Sequence, residues 1–433
     1  MKFPLRTDTD RCAARSGLLE EVDHARPPRR GKDRSAMPTD GTNARKIDRG
    51  EAEGGCPVSR GSDGVWTVRG YAAARTALRS TDTVQAGLGV ETFEKMPAKF
   101  RRPVLYRDGP EHREHRRQTA KYFTPRRVDE SYRGLMERVA DAQLDKLRGA
   151  GQAELSELSF TLAVEVARAV IGLTESRPGL ARRLERFFPE EFGEPGFTSL
   201  NGLYWVWRQA TNFSGIYFAD VRPAVRARRA QRRDDLISHL LDEGCSSAEI
   251  LGECVTFAAA GMVTTREFVN LAAWHLFTDG QLLTRYRAAE ERDRLAILHE
   301  LLRLEPVVGH LKRRTTAPVE LPNGGNDTVT VPPGELIDIQ VSATNTDPQA
   351  MGEKPLSICP GRPLNDAFGP GLSFGDGAHK CPGANVAILE TDVFLRKLFA
   401  MPYIRLVKPP KVSFNDAIGG YELRGMVVSV PKP

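Results

Sequence analysis

The stretch that decides the fold is Phe374-Gly375-Asp376-Gly377-Ala378-His379-Lys380-Cys381-Pro382-Gly383, and a helical pattern from Ala384 to Phe399 follows it. The glycines let the backbone approach a flat ligand closely, where side chains would clash. Cys381 stands just before the helix N-terminus, where free N–H groups and the helix dipole favour a thiolate. A buried structural cysteine on a glycine-rich turn is the alternative. It does not explain why several residue types fall at fixed offsets.

This loop resembles the haem-binding loop of the cytochrome P-450 superfamily. The resemblance implies that Cys381 is the axial metal ligand, that Phe374 shields its sulfur, and that His379 contacts a haem propionate. Gly383 completes the cofactor-binding loop. A thiolate donates electron density to haem iron, which favours cleavage of the O–O bond. The expected cofactor is therefore haem b, with O₂ as co-substrate.

A charged pair upstream matches a second pattern of the same family. Glu300 and Arg303 fall on one face of a predicted helix, where they can pair. An ordinary surface pair is the alternative, and it would contribute little. The resemblance implies a structural pair locked by Arg362 as a third member. The dipeptide His299-Glu300 would begin a zinc-protease motif only with a histidine at position 303, so that function is excluded.

Basic residues at three further positions suit the carboxylates of a haem. His112 and Arg116 lie one helical turn apart in a segment that is similar to the family's segment over the haem edge. Arg313 matches a third such position. Guanidinium groups are the best donors to buried carboxylates. For each residue taken alone, a solvated arginine-rich helix face is the alternative.

A single long helix is predicted from Ser246 to Phe277, with Ser246 and Glu249 as a capping box. No charge occurs between Glu253 and Arg266, so the middle of this helix should be buried on every side. That uncharged stretch is too short to span a bilayer, which needs about 20 apolar residues.

The same uncharged stretch matches the family's oxygen-binding groove. The resemblance makes Ala260, Gly261 and Thr264 the catalytic residues, with the Thr264 hydroxyl as a hydrogen-bond donor to oxygen. A kinked core helix is the alternative, because glycine and a threonine bonded to its own helix both bend helices. Two residues depart from the family pattern. Val263 stands where an acid is usual, which affects proton delivery, and Ile388 stands where many bacterial relatives carry arginine.

Apolar residues at several separated positions match the family's pocket walls. The predicted substrate-pocket residues are Val84, Leu88, Val263, Val307, Val308, His310 and Ile418. Residues 187–218 are dense in aromatic side chains, and either a mobile lid over the pocket or a packed core explains them. An apolar or aromatic natural product of secondary metabolism suits such a pocket. His310 is a candidate to help deliver protons in place of an acid at Val263.

The helical and strand patterns favour a single domain that is mostly α with a small β region. The resemblance implies that residues 61–433 form one catalytic domain with a cytochrome P-450 fold. Residues 1–60 are rich in Arg, Asp, Gly, Pro and Ser, so a disordered N-terminal extension is expected there. Met37 is a candidate start. The first residues lack the apolar stretch of a signal peptide, and the expected protein is a cytoplasmic monomer without a membrane anchor.

The net charge is +6, and acidic and basic residues nearly balance, so no nucleic-acid partner is predicted. No GxGxxG motif opens a helix after a strand, so a fused dinucleotide-binding fold is not supported. The resemblance implies that electrons come from NAD(P)H through a ferredoxin reductase and a separate ferredoxin. The predicted reaction is monooxygenation of a small molecule. Oxidative coupling of aromatic substrates, and a haem-binding sensor without turnover, are the alternatives.

Overall fold

The computed structural model describes residues 43–50, 54–90, 101–187, 199–362, 371–415 and 419–432. Helices make up most of these residues, as predicted. The longer helices are α1 (Tyr71–Arg79), α2 (Gly109–Thr119), α3 (Arg133–Ala150), α4 (Leu155–Ile171), α5 (Leu180–Phe187), α6 (Leu200–Ile216), α7 (Arg222–Ala230), α8 (Leu236–Asp242), α9 (Ser247–Thr278), α10 (Gly280–Ala288), α11 (Glu291–Leu304) and α12 (Ala384–Ala400).

The strands are short and form four small sheets within the described residues. They are β1 (Val58–Arg60), β2 (Trp66–Val68), β3 (Thr83–Ala86), β4 (Gln152–Glu154), β5 (His310–Thr315), β6 (Val319–Pro322), β7 (Thr328–Val331), β8 (Leu336–Gln340), β9 (Arg405–Lys408), β10 (Lys411–Asn415), β11 (Gly420–Arg424) and β12 (Val427–Ser429). The largest sheet has the order β1-β2-β8-β5-β3. The predicted mostly α fold with a small β region is confirmed.

The long helix α9 is the centre of the fold. Ser246 caps it by accepting a hydrogen bond from the backbone N–H of Glu249, and the Glu249 side chain accepts from the backbone N–H of Ser246, so the predicted capping box is confirmed. α9 packs against α4, α11 and α12. Its second half, from Thr265 to Leu276, is buried throughout. The uncharged stretch between Glu253 and Arg266 is buried only in part and Ala260 is exposed, so the prediction that this stretch is buried on every side is wrong.

Residues 43–50 correct part of the predicted N-terminal boundary. Ile47 is 4% exposed and belongs to the main apolar core. The backbone N–H of Lys46 donates to the Glu305 carboxylate, and Arg49 donates to the Pro306 carbonyl oxygen. A disordered extension reaching residue 60 is therefore wrong for this stretch and for β1. Amino-acid composition does not detect this segment, because only a few contacts hold it in place: one backbone hydrogen bond, one arginine side chain and one buried isoleucine. Residues 1–42 lie outside the described residues.

The described helices include none with both the length and the apolar character that crossing a membrane requires.

Candidate active site

The cysteine loop is shaped by glycines in the left-handed region. Gly375 has φ 67° and Gly377 has φ 65°. A Cβ on Gly377 would lie 2.2 Å from the carbonyl oxygen of Leu78, so only glycine fits there. The backbone N–H of Cys381 donates to the Phe374 carbonyl oxygen at 2.8 Å, which closes the loop directly before α12.

The electrostatics around Cys381 differ from the sequence-based expectation of a thiolate. Burial raises the pKa of the Cys381 thiol, although the N–H groups of Gly383 and Ala384 and the charge of Arg116 act in the opposite direction. The residue nevertheless keeps accessible surface. The helix N-terminus alone therefore does not ionise this sulfur. A metal cation at the sulfur would supply the additional positive charge that a thiolate needs.

Two predicted propionate contacts, His112 and His379, stack on each other. Their ring centroids are 4.1 Å apart and the planes differ by 16°. His379 Nε2 lies 2.8 Å from Asp108 Oδ1, and the other carboxylate oxygen accepts from the backbone N–H of Gln85 at 3.0 Å. Burial lowers the pKa of His112 to about 4. Sequence reasoning did not assign Asp108 a role, although its place next to a helix start was a usable signal.

Of the two arginines predicted to bind propionates, Arg313 is buried and Arg116 is half-buried. Arg116 donates to the carbonyl oxygen of Lys380, and Arg313 donates to the side-chain oxygen of Gln85. Across the described ranges neither forms an ion pair with Asp or Glu. Burial lowers the pKa of Arg116, and that of Arg313 to about 10. Such guanidinium groups are suited to carboxylates supplied by a ligand.

The predicted structural triad is brought together at the end of α11. Arg303 is fully buried and donates from Nε and Nη2 to the two oxygens of Glu300, both at 2.8 Å. Arg362 donates to Glu300 Oε1 from Nε and Nη2, both at 3.2 Å. The backbone N–H of Cys359 adds a fifth contact at 3.1 Å. The surface-pair alternative is therefore wrong for these residues.

The predicted oxygen-binding groove lies in the middle of α9. The Thr264 hydroxyl donates to the Ala260 carbonyl oxygen four residues earlier, at 2.6 Å. Ala260 is exposed, whereas Met262 is buried on the other side of the helix. A Cβ on Gly261 would lie 3.8 Å from the Cβ of Ala167 in α4. Val263 is half-buried and brings no polar atom to the groove.

The predicted pocket-wall residues occupy two neighbouring regions. Val84 lies in β3, and Leu88 follows that strand with a positive φ of 54°. Val307 is buried, and Val308 pairs with Gly420 in an isolated β-bridge, which joins two predicted walls. Ile418 lies outside the described residues. His310 Nδ1 is 2.9 Å from Asp338 Oδ1 across the β5–β8 pair.

The aromatic region has an exposed outer face. The exposed large apolar side chains of α6 and the turn after it are Leu200, Leu203, Tyr204, Trp207, Phe213 and Phe218. A packed core, one of the two interpretations of this region, is therefore wrong for these residues. Several other aromatic residues between 187 and 198 lie outside the described side chains.

A sequence profile of the family described as cytochrome P450 matches residues 295–401. The matched range contains both the Glu300–Arg303 pair and the Cys381 loop. This match indicates the cytochrome P-450 superfamily.

Relatives and solved structures agree with this assignment. The chain is 27% identical over 364 residues to erythromycin C-12 hydroxylase of Saccharopolyspora erythraea, covering 79% of this chain and 83% of the relative. It is 28% identical over 373 residues to pentalenic acid synthase of Streptomyces avermitilis, covering 82% and 86%. The fold is similar to that of CYP109E1 from Bacillus megaterium in complex with corticosterone, with a TM-score of 0.70, 20% identity, and coverage of 86% and 94%.

A cytochrome P-450 is a haem-dependent monooxygenase that uses O₂ and electrons from a redox partner, and these similarities indicate the same activity for this chain. The haem activates O₂, while the protein binds the haem, orients it and tunes its reactivity. The residues around Cys381 fit this cofactor. An exposed cysteine precedes a helix, and neither the buried Arg313 nor the half-buried Arg116 forms an ion pair with Asp or Glu within the described residues. His112 Nδ1 is buried without a hydrogen-bond partner in the same part of the chain.

Proposed function

We propose that this chain is a haem-thiolate monooxygenase that inserts one oxygen atom of O₂ into an apolar or aromatic natural product. Cys381 is the axial ligand of haem b, and Phe374 shields its sulfur. His112, Arg116, Arg313 and His379 bind the propionates, and Gly383 leaves room beside the sulfur. The single observation that carries the proposal is an exposed cysteine directly before α12, with Arg116 close enough for its charge to act on the pKa of the thiol.

The distal side of the site is assigned to α9. Thr264, with Gly261 and Ala260, forms the oxygen-binding groove, and its hydroxyl is the hydrogen-bonding group there. The Glu300–Arg303–Arg362 triad has a structural role, because it fixes the segment around Cys359 that leads towards the cysteine loop.

Substrate and partner are proposed at the level of chemical class. The pocket is formed by Val84, Leu88, Val263, Val307, Val308, His310 and Ile418, which are mostly apolar. The relatives named for erythromycin and pentalenic acid, and the solved structure with corticosterone, support a large and largely apolar substrate. Electrons come from NAD(P)H through a ferredoxin reductase and a separate ferredoxin, and the enzyme works as a monomer.

Oxidative coupling of aromatic substrates is the second candidate. The observation that favours it is Val263, because cleavage of O₂ consumes protons in either reaction and this position supplies none. A substrate with its own O–H or N–H would supply a proton, and such substrates are those that undergo coupling.

The experiment compares the reduced carbon-monoxide spectra of the wild type, Cys381→Ser and Cys359→Ser. Thiolate ligation predicts an absorption near ~450 nm in the wild type and its loss in Cys381→Ser. Cys359→Ser is the matched control, because Cys359 is also an exposed free cysteine but only its backbone N–H joins the Glu300 cluster. A retained band in Cys381→Ser would refute the assignment of the ligand.

Product mass then separates the reactions. The protein is incubated with NADPH, a ferredoxin, its reductase and a panel of apolar and phenolic natural products. Insertion adds one oxygen atom to the product, whereas coupling removes two hydrogens for each new bond. NADPH oxidation that no compound stimulates, without any product, would favour the haem-binding sensor.

A further inference from the structure

A second charged cluster lies just beyond the predicted oxygen-binding groove on α9. Its centre is Glu267, three residues after Thr264, and its side chain is 0% exposed. A carboxylate removed from water in this way is unfavourable unless donors surround it. The donors around Glu267 therefore show which parts of the fold this residue joins.

Three donors reach the Glu267 carboxylate. Oε2 accepts from the backbone N–H of Leu423 at 2.7 Å. Oε1 accepts from Nη1 of Arg424 at 2.7 Å and from Nε of Arg266 at 2.8 Å. Leu423 and Arg424 belong to β11, whereas Arg266 and Glu267 belong to α9. The carboxylate thus fastens the β10–β11 hairpin to the groove helix by two contacts.

The other end of β11 meets the predicted pocket wall. Gly420 pairs with Val308 in a β-bridge, and the backbone N–H of Gly309 donates to the carbonyl oxygen of Gly419 at 2.7 Å. The strand from Gly420 to Arg424 is only five residues long. It therefore connects the wall directly to the Glu267 contacts.

We propose that Glu267 is a positioning residue, which fixes the pocket wall at Val308 and Gly420 relative to the groove at Thr264. The inference rests on the proposed function, which assigns this wall and this groove. Because Thr264 and Glu267 share one helix, the orientation of a substrate over the groove depends on the Glu267 contacts. Their loss loosens the wall and reduces discrimination between ligands of different size, although no atom of the pocket is removed.

The geometry explains why a carboxylate is needed at this position. An amide has only one acceptor oxygen, so a glutamine would turn its NH₂ group towards a neighbouring donor and leave at least one of them without an acceptor. Arg266 cannot easily turn to solvent, because its side chain is 10% exposed and its guanidinium lies 4.9 Å from the centroid of the Phe160 ring. Replacing Glu267 by glutamine therefore weakens the contact between α9 and β11.

The hairpin offers a matched control. Glu422 also lies in β11 and also binds Arg424, at 3.3 Å, but its other contact is Asn415 of β10 at 2.8 Å. Glu422→Gln changes the charge of the hairpin in the same way as Glu267→Gln. It leaves the bond between Glu267 and the backbone of Leu423 in place.

The first test measures hydrogen exchange of the backbone amides in the haem-loaded full chain. The Leu423 amide should exchange faster in Glu267→Gln than in the wild type, and Glu422→Gln should resemble the wild type at this amide. Glu267→Asp is the second variant if Glu267→Gln does not fold. It keeps the charge beside Arg266, but its carboxylate is one methylene shorter and no longer reaches Leu423. Unchanged exchange at Leu423 in the variants would overturn the proposal.

The second test titrates the haem-loaded variants with imidazole and with the larger 4-phenylimidazole, followed by absorption spectroscopy. For Glu267→Gln the Kd of 4-phenylimidazole should change about fivefold or more, and that of imidazole by less than about twofold. Glu422→Gln should change neither. Equal changes for both azoles would indicate general loosening and overturn a role in positioning the wall. If neither azole shifts the spectrum of the wild type, the proposed function is wrong. Hydrogen exchange at Leu423 would in that case still test whether Glu267 fastens β11 to α9.

Discussion

Glu300→Gln should destabilise the fold strongly, because Glu300 is the only carboxylate that the described contacts give to Arg303. Arg303 is 0% exposed, and Glu300 accepts five hydrogen bonds from Arg303, Arg362 and the backbone of Cys359. Removing one partner of a buried ion pair costs about 3–5 kcal/mol. That is a large fraction of the roughly 5–15 kcal/mol by which proteins of this kind are stable.

The assay is urea unfolding at constant pH, followed by circular dichroism, with the haem content measured in parallel. Glu114→Gln is the matched control, because Glu114 and Arg117 have the same helical spacing as Glu300 and Arg303 but are exposed. Water and salt screen that pair, so the control should unfold nearly as the wild type does. If Glu300→Gln shifts the unfolding midpoint no more than Glu114→Gln does, the triad does not hold this part of the fold.

Three further predictions concern stability and electron supply. A chain that begins at Met37 should bind haem and have the melting temperature of the full chain. A chain that begins at residue 54 should melt at a lower temperature, because it loses the buried Ile47. Equal melting temperatures of these two shortened chains would contradict the prediction. Burial raises the pKa of Glu390 from 4.5 to about 8. Between these two pH values the unfolded state binds fewer protons than the folded state does. The free energy of unfolding therefore falls as the pH rises through this range. Glu390→Gln should remove that slope in urea titrations at several pH values, and parallel curves for the two proteins would refute it. Lys380 is exposed beside Cys381. Lys380→Glu should therefore slow the reduction of the haem by an acidic ferredoxin, most strongly at low salt. A reduction rate that is unchanged at every salt concentration would argue against docking of the ferredoxin at Lys380.

The sequence predicted well those features whose contacts lie within a few residues along the chain. Periodicity predicts helices from Tyr71 to Arg79 and from Leu155 to Ile171, and the structure has both helices with these bounds. The capping box of Ser246 and Glu249 is equally local. The cysteine loop was recognisable because its glycines, its cysteine and the helix after it are consecutive in sequence.

Features that depend on distant partners were missed. An arginine-rich stretch with Arg222, Arg226 and Arg228 suggests a solvated helix face, and the first two are indeed exposed. Arg228 is 1% exposed and pairs with Glu175 and Asp235 instead. The partners are brought together by tertiary packing, so helical periodicity around Arg228 does not reveal them.

The cluster around Glu267 on α9 was also missed, because its partners are distant in the sequence. Arg266 and Glu267 follow the uncharged stretch, and nothing near them in the sequence reveals their partners. Both are buried, because Arg424, which lies 157 residues further along the chain, approaches Glu267. A charged pair that directly follows an apolar stretch is therefore compatible with a buried network as well as with a surface.

Proton supply is the step at which the groove departs most from its family's pattern, and the geometry narrows how it can occur. The Thr264 hydroxyl donates its only proton to the Ala260 carbonyl oxygen at 2.6 Å, and Val263 has none to give. His310 was the predicted substitute, but its Nδ1 faces the Asp338 carboxylate at 2.9 Å, which engages that nitrogen across the sheet. Neither Thr264 nor Nδ1 of His310 therefore offers an uncommitted proton in this arrangement. We therefore propose that ordered water or a polar hydrogen of the substrate completes the relay, a step in which a positioned group contributes about 10²–10⁴ in rate. Substrates with an O–H or N–H near the groove meet this requirement themselves, and that links the missing acid at Val263 to the choice between insertion and coupling.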